Sequence, residues 1–199
     1  MMVVGLTGGI GSGKTTVLKM FQKYGIDCYI ADVEAKKLMN SSNEIKKEVI
    51  DVFGNQAYID NQLNRKYIAQ IVFQNPDKLD LLNSIVHPKV RKHFRKFVEN
   101  STSAYVIYES AILFENNGEK QCDFIITVSA PKNVRIQRVI ARDNVSEIEV
   151  LHRIKNQLSD EEKISKSDFV IENIDLELTK LQVRIIHQEL LKAIDTLKE

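Results

Sequence analysis

Residues 8–15, Gly-Gly-Ile-Gly-Ser-Gly-Lys-Thr, follow the apolar run Val3-Val4-Gly5-Leu6 and fit the spacing G-x-x-x-x-G-K-[ST] of a phosphate-binding loop. Glycines let successive backbone N–H groups turn towards phosphate oxygens, and a following helix offers the positive end of its dipole to the same anion. The apolar run predicts a buried strand, and residues 16–23 predict a helix. The octet therefore predicts a nucleoside triphosphate site between a strand and a helix.

Two side chains of this motif have specific expected tasks. Lys14 would reach the β- and γ-phosphates of the nucleotide, and the Thr15 hydroxyl would ligate its Mg²⁺. Alternatively, residues 8–15 could form a glycine-rich turn that binds no ligand. We predict that ATP and its metal contact the following residues: Gly9, Gly11, Ser12, Gly13, Lys14, Thr15 and Thr16. No other metal site is predicted, because His87 and His93 lack ligand spacing.

The composition limits the class of protein. The 28 Lys and Arg residues nearly balance the 27 Asp and Glu residues, so the sequence predicts no nucleic-acid partner. Cys28 and Cys122 form neither a disulfide framework nor a zinc pattern. No stretch approaches the roughly 18 apolar residues of a membrane span, and Met1–Leu6 lacks a charged signal-peptide start. We expect a cytoplasmic protein that acts on a small molecule, and nothing indicates a protein partner.

Short apolar runs that alternate with helical patterns predict a parallel sheet covered by helices on both faces. The five runs are Met2–Leu6, Asp27–Ile30, Ala104–Tyr108, Asp123–Val128 and Asp168–Ile171. The sequence therefore predicts a three-layer α/β fold of the P-loop NTPase type, with a five-stranded parallel sheet, in a single domain spanning 1–199. Its expected parts are a core of residues 1–32, 101–130 and 167–199, a helical substrate-binding insertion at 33–100 and a helical lid at 131–166.

Capping patterns and prolines predict where helices begin and end. Three S-x-x-E capping boxes are present at Ser41–Glu44, Ser146–Glu149 and Ser159–Glu162. Pro76 is expected to stop one helix, and Pro88 is expected in the first turn of another. A C-terminal helix is expected to pack on the sheet through Leu178, Leu181, Ile185, Leu190 and Ile194.

An enzyme that transfers a phosphoryl group depends on well-positioned charged groups more than on covalent catalysis, so a carboxylate near the γ-phosphate is expected. Asp32 follows the second apolar run, at the carboxyl edge where open α/β sheets bind ligands. It could be a base for an acceptor hydroxyl or an indirect Mg²⁺ ligand, or it could be the N-cap of a helix at 33–39. Glu109 ends the third run, either near the water shell of the metal or as a solvated strand end.

Basic residues occur in two groups. Arg135, Arg138 and Arg142 fall at i, i+3 and i+7, so we place them on one helix face that either clamps phosphate oxygens or is simply solvated. The phosphate loop favours a function for at least one of them. A denser segment comprises Lys89, Arg91, Lys92, His93, Arg95 and Lys96. For most of its members we expect a solvated face, although the segment could attract a phosphate-rich acceptor.

Taken together, these segments resemble the dephospho-coenzyme A kinase family over most of the chain. Residues 5–16 look like the phosphate loop of that family, and Ala31-Asp32 matches the end of its Asp-Ala-Asp motif. The later matches, in order, are Leu63-Asn64-Arg65, Leu82-Asn83, His87-Pro88, Ile112-Leu113-Phe114-Glu115, Arg138-x-x-x-Arg142-Asp143, Gln157 and Asp168 to Asn173. No single later motif is specific, but the ordered set is.

The resemblance implies ATP-dependent phosphorylation of the ribose 3′-hydroxyl of dephospho-coenzyme A, which gives coenzyme A and ADP. It implies that Asp32 is the catalytic base, that Lys14 is also catalytic, and that Arg138 and Arg142 act from the lid. The implied substrate-binding residues are Arg65, His87 and Glu115.

Four positions depart from the usual family pattern: Ile30, Ala111, Arg135 and Ser167. Ile30 stands in place of the first Asp of the motif, Ala111 in place of Pro, Arg135 in place of Gln and Ser167 in place of Ala. Only Ile30 touches the expected site, and because Asp32 is retained we still expect an active enzyme.

Three other functions compete with this interpretation. The first is another small P-loop kinase that acts on a nucleoside or nucleotide. The second is a GTP-binding switch, but the sequence has no Asn-Lys-x-Asp segment to read the base. The third is a nucleotide-binding module without catalysis, which only Ile30 favours.

Overall fold

The structure is a computed structural model that describes residues 1–196. The strands are β1 (Met2–Thr7), β2 (Asp27–Ile30), β3 (Tyr58–Ile59), β4 (Gln62–Leu63), β5 (Tyr105–Glu109), β6 (Phe124–Ser129) and β7 (Phe169–Glu172). The α-helices are α1 (Lys14–Gln22), α2 (Ala31–Ser41), α3 (Asn43–Phe53), α4 (Arg65–Gln74), α5 (Pro76–Asn100), α6 (Lys132–Asp143), α7 (Glu147–Lys155), α8 (Asp160–Ser165) and α9 (Leu176–Thr196).

The five-stranded sheet has the spatial order β2-β5-β1-β6-β7, with β1 between β5 and β6 in parallel register. All six residues of β1 and all five of β5 are buried, because a central parallel strand is covered on both faces. The predicted α/β fold with a five-stranded parallel sheet is confirmed. The second run matches β2 residue for residue, and the ends of the other strands differ from the prediction by one residue at most.

Contacts divide the chain into two compact units. The first contains Met1–Tyr29 and the described chain from Ser101 onward, and it holds the five-stranded sheet apart from Ile30, the phosphate loop and residues 131–166. The second, Ile30–Asn100, contains α2 to α5 and the β3–β4 hairpin, and the predicted insertion at 33–100 falls within it. In residues 1–196, none of the helices has both the length and the apolar content that a bilayer crossing requires.

The β3–β4 hairpin was not predicted. Its turn residues Asp60 and Asn61 have positive φ values of 48° and 62°, which short polar side chains tolerate. Each strand has only two residues, so no alternation of apolar and polar residues could mark it. Tyr58 links the hairpin to α2 by donating its hydroxyl to the Met39 carbonyl at 2.8 Å.

The prediction that Pro88 begins a helix is wrong. Pro88 lies inside α5, whereas α4 ends at Gln74 and α5 begins at Pro76, as expected from Pro76. An internal proline removes one helical hydrogen bond and costs about 3 kcal/mol. The helix continues because it buries Ile85, Val86, Val90 and Phe94 along its length.

Two of the three predicted capping boxes are confirmed. Ser146 accepts a hydrogen bond from the Glu149 N–H at 3.3 Å, and Glu149 accepts one from the Ser146 N–H at 2.9 Å. Ser159 and Glu162 make the same reciprocal pair at 3.1 and 3.0 Å. These boxes satisfy N–H groups that the first turns of α7 and α8 would otherwise leave unpaired.

The third predicted capping box is wrong by one residue. Ser42, not Ser41, is the N-cap of α3 and accepts from the Ile45 N–H at 3.3 Å. Ser41 still belongs to α2, where its hydroxyl donates to the Lys37 carbonyl at 2.9 Å. The cap shifts because only Ser42 has the extended backbone that an N-cap requires.

The predicted inner face of α9 is wrong for three of its five residues, whereas Leu190 is buried as predicted. Leu178, Leu181 and Ile185 are 61%, 42% and 49% exposed. The residues that α9 buries are Thr179, Val183, Ile186 and Leu190. Apolar residues recur at helical spacing on both faces, so the sequence pattern alone does not identify the buried one.

Candidate active site

The phosphate loop connects β1 to α1, which begins at Lys14. Gly13 is the N-cap residue of α1 and has a φ of 93°, in the left-handed region that favours glycine. A Cβ atom at this position would also collide with the side-chain amide of Asn173. The loop therefore leads directly into the N–H groups of the first turn of α1, a geometry that suits an anion.

Lys14 is the cation of the loop. Its Nζ donates to the Gly8 carbonyl at 2.9 Å and lies 4.0 Å from Oε1 of Glu109. Glu109 ends β5 and is only 8% exposed, so its interpretation as a solvated strand end is wrong. The loop lysine and a buried carboxylate thus lie side by side at the carboxyl edge of the sheet.

Buried hydroxyl groups indicate that the loop suits a polar ligand. Ser12 is fully buried, and its Oγ has no hydrogen-bond partner within residues 1–196. The same is true of Oγ1 of Thr7, at the start of the loop. An unpaired buried hydroxyl is costly, and a bound phosphate or water would satisfy it.

The other predicted nucleotide contacts lie in the same segment. Thr15 and Thr16 are exposed in the first turn of α1. In the described part of the chain, no group of three or more His, Cys, Asp or Glu side chains could hold a metal ion. The Thr15 hydroxyl fits the expected arrangement, in which the nucleotide itself supplies most ligands of the metal.

Arg138 lies beside the loop. Its Nη2 donates to the Asn173 carbonyl at 3.0 Å, and its Nη1 contacts the Ser12 carbonyl at 3.5 Å. Asn173 in turn donates from its side-chain amide to the Ser12 carbonyl at 2.8 Å. The end of β7 and helix α6 therefore meet at the backbone of Ser12.

The other two arginines of α6 do not share this environment, so the predicted common face of three arginines is divided. Arg135 is 3% exposed, forms an ion pair with Asp160 and donates from Nε to the Ile10 carbonyl at 2.9 Å. Arg142 is exposed and forms two hydrogen bonds with Asp143, at 2.7 and 3.0 Å. The hydrogen bond from Arg142 holds the pKa of Asp143 below its usual range.

Glu115 contacts the segment at 131–166. Its Oε1 accepts from the Leu158 N–H at 2.9 Å and lies 3.1 Å from Nζ of Lys163. Lys163 is fully buried and also donates to the Ala111 carbonyl at 2.8 Å. Glu115 therefore joins the segment after β5 to residues 158–163.

The remaining predicted site residues lie in the second unit. Asp32 is exposed in the first turn of α2, whose N-cap residue is Ile30, so the interpretation of Asp32 as an N-cap is wrong. Arg65 is exposed as the first residue of α4. His87 is half-buried in α5, where burial and then the charge of Arg91 lower its pKa. A neutral imidazole is expected there at neutral pH.

The basic segment of α5 is mostly solvated, as predicted. Arg91, Lys92, Arg95 and Lys96 are exposed. Lys89 differs, because its Nζ forms ion pairs with Glu44 at 2.5 Å and Glu48 at 3.1 Å. This lysine links α5 to α3 within the second unit.

Sequence reasoning did not assign roles to four residues that contact the loop or its neighbouring segments: Gln157, Asp160, Lys163 and Asn173. The side-chain Oε1 of Gln157 accepts from the Ile10 N–H at 2.9 Å. Gln157 and Asn173 do lie in segments of the family resemblance, which was the available signal. No sequence pattern indicated a role for Asp160 or Lys163, because their partners Arg135 and Glu115 are distant in sequence.

Comparisons with known proteins agree with the geometry. A family model described as Dephospho-CoA kinase matches residues 2–177. A curated relative from Fusobacterium nucleatum named Dephospho-CoA kinase is 40% identical over 174 residues, covering 87% of this chain and 90% of the relative. The crystal structure of TT1252 from Thermus thermophilus aligns with a TM-score of 0.86 at 29% identity, covering 94% of this chain and 97% of that one. Dephospho-CoA kinase from Campylobacter jejuni aligns with a TM-score of 0.70 at 25% identity, covering 96% and 98%.

Proposed function

The chain belongs to the dephospho-CoA kinase family, and we infer from this and from its phosphate loop that it catalyses the final step of coenzyme A biosynthesis. It uses ATP to phosphorylate the ribose 3′-hydroxyl of dephospho-coenzyme A, and ADP is the second product. The observation that carries this function is the loop at Gly8–Thr15, with Lys14 beside Glu109, in a chain that matches the family from residue 2 to residue 177. The alternative acceptors, a nucleoside or a nucleotide, are not favoured.

Nucleotide binding is assigned to the loop and the first turn of α1. The residues that would contact ATP are Gly9, Gly11, Ser12, Gly13, Lys14, Thr15 and Thr16. Lys14 would leave the Gly8 carbonyl and move its charge to the β- and γ-phosphates, where it offsets the negative charge of the transition state. Ser12 supports this assignment through its unpaired, buried hydroxyl.

Mg²⁺ would be held by the phosphates and by the Thr15 hydroxyl. When bound, it neutralises phosphate charge and orients the terminal phosphoryl group. Glu109 is suited to hold a water molecule of the metal's shell, because its carboxylate lies 4.0 Å from Lys14 and is shielded from bulk solvent.

Two arginines of α6 would act on the triphosphate. Arg138 already lies against the Ser12 carbonyl, so a small movement would bring its guanidinium to a phosphate oxygen. Arg142 would have to exchange Asp143 for the nucleotide. The segment at 131–166 would then be the lid of the enzyme, with the core at 1–32, 101–130 and 167–199 and the acceptor-binding insertion at 33–100.

Asp32 would be the catalytic base. Its carboxylate would accept the proton of the ribose 3′-hydroxyl as the oxygen attacks the γ-phosphorus. Its place at the start of α2, directly after β2, supports this role, and so does its match to the last Asp of the family motif. Arg65, His87 and Glu115 would bind the acceptor. No partner beyond these small molecules is proposed, and the cytoplasmic location stays a prediction.

The test is an ADP-release assay with ATP, Mg²⁺ and one acceptor at a time. Dephospho-coenzyme A should support release, whereas adenosine and uridine should not, and Lys14→Ala should be inactive with every acceptor. Mass spectrometry of the product should show one added phosphate. Release with uridine but not with dephospho-coenzyme A would overturn the assigned acceptor and leave the nucleotide site standing.

A further inference from the structure

The tip of the phosphate loop is held at Ile10 by residues 131–166. The Ile10 N–H donates to Oε1 of Gln157 at 2.9 Å, and its carbonyl accepts from Nε of Arg135 at 2.9 Å. Its side chain packs against an apolar cluster that α6 and α7 form from Ile136, Val139 and Val150. Both backbone polar groups and the side chain of one loop residue are therefore fixed from outside the loop.

Arg135 is the central residue of this contact. It is 3% exposed, and its charge is compensated by Asp160, the first residue of α8. Its guanidinium occupies the space that a side chain at position 9 would need, so Gly9 permits the close approach. Because its guanidinium is buried and paired with the Asp160 carboxylate, Arg135 is poorly placed to bind a phosphate.

We propose that Arg135 is a positioning residue for ATP binding, acting through Ile10 and Asp160 on the loop arm Gly9–Gly11. A glycine-rich arm has many accessible conformations, and ordering it during binding would reduce affinity for the nucleotide. The Arg135 contacts remove this freedom in advance, so that the loop N–H groups are already directed for the phosphates. The inference rests on the proposed function in one respect, that ATP is the ligand of the loop.

The experiment measures ATP affinity by titration calorimetry without any acceptor. Arg135→Met keeps the length of the side chain but removes the charge and the donors. It leaves Asp160, whose side chain is 22% exposed, in reach of water, so the fold is expected to survive. We expect ATP binding to weaken about tenfold. The matched control is Arg184→Met, which removes an exposed arginine of α9 and should bind ATP like the wild type.

Two further variants examine the individual contacts. Arg135→Gln carries the residue that the family usually has, retains one neutral donor for the Ile10 carbonyl and should weaken ATP binding about threefold. Asp160→Asn should weaken it as Arg135→Met does, because the guanidinium loses its counter-charge. The double variant Arg135→Met/Asp160→Asn should bind ATP no more weakly than Arg135→Met alone, since the two residues act as one pair.

Steady-state kinetics separates positioning from a general packing defect. Positioning predicts a higher KM for ATP with the KM for dephospho-coenzyme A within twofold of the wild type. ATP affinity of Arg135→Met within twofold of the wild type would overturn the proposal, as would an equal rise in both KM values or additive effects in the double variant. If the wild type binds ATP but does not phosphorylate dephospho-coenzyme A, only the proposed function fails, because the calorimetric comparison needs no acceptor.

Discussion

Nζ of Lys163 lies 3.1 Å from Oε1 of Glu115, and the lysine is fully buried whereas the Glu115 side chain is 20% exposed. The two residues join the segment after β5 to α8. Removing one partner of a buried ion pair leaves the other charge uncompensated, and the cost depends on how well that charge can reach water. The two ends of this pair should therefore differ in their effect on stability.

Glu115→Gln should lower the free energy of unfolding by about 2 kcal/mol, because it leaves a buried ammonium group without its carboxylate. Lys163→Met should cost less, about 1 kcal/mol, because the remaining glutamate side chain is partly exposed and the Leu158 N–H still binds its carboxylate. Urea denaturation measures both changes. A larger loss of unfolding free energy in Lys163→Met than in Glu115→Gln would contradict the prediction that the buried ammonium group is the costlier charge to leave unpaired.

Lys14→Ala should lower kcat/KM by at least about 10³-fold, because the transferring phosphoryl group loses its main protein cation. The matched control is Lys19→Ala, which removes an exposed lysine from the same helix and should retain full activity. Circular dichroism checks that both variants fold. Turnover of Lys14→Ala near the wild-type rate would show that Lys14 does not act on the phosphates.

Asp32→Asn should reduce kcat by about 10²- to 10⁴-fold, because the acceptor hydroxyl loses its proton acceptor. The KM for ATP should stay within about twofold, since the substitution leaves the phosphate loop intact. Glu34→Gln, another acid in the first turn of α2, is the control and should be nearly as active as the wild type. Equal kcat values for Asp32→Asn and the wild type would exclude the role of base.

The sheet and the loop could be predicted because their signals are local. Five apolar runs and one octet carry them, and the strand–loop–helix order follows directly along the chain. The inner face of α9 could not be predicted, since Leu178 and Leu181, three residues apart, fit one helix face as well as Thr179 and Val183, four residues apart. Tertiary contacts decide between the two faces, and a local pattern does not contain them.

The residues that hold the phosphate loop in place could not be predicted for a similar reason. Arg135 and Ile10 are 125 residues apart in sequence, and Asn173 and Ser12 are 161 apart. The spacing of Arg135, Arg138 and Arg142 correctly indicated one helix but gave no information on which arginine is buried. Only the folded chain distinguishes the arginine that holds the loop from the one that pairs with Asp143.

His187 should make stability depend on pH. Its Nδ1 lies 2.8 Å from the Tyr105 hydroxyl, its ring stacks on Tyr24 at 4.5 Å, and burial lowers its pKa. The unfolded chain therefore binds a proton more readily, so the free energy of unfolding should fall as pH decreases below about 6.5. His187→Gln should show a shallower fall between about pH 7.5 and 5.5 in urea titrations. Parallel curves for the two proteins would contradict this prediction.

Residues 131–166 should close on ATP, and the structure indicates which part moves. Helix α6 is already fixed to the loop through Arg135 and Ile10, so its amide hydrogen exchange should change little when ATP binds. Helices α7 and α8, whose residues are mostly exposed, should exchange more slowly when ATP is bound and the segment packs over it. Helix α3 provides the internal control, because it lies in the other unit and ATP alone should leave it unaffected. Unchanged exchange in α7 and α8 at saturating ATP would exclude closure, and slower exchange in α3 to the same extent would indicate a global change instead of a lid.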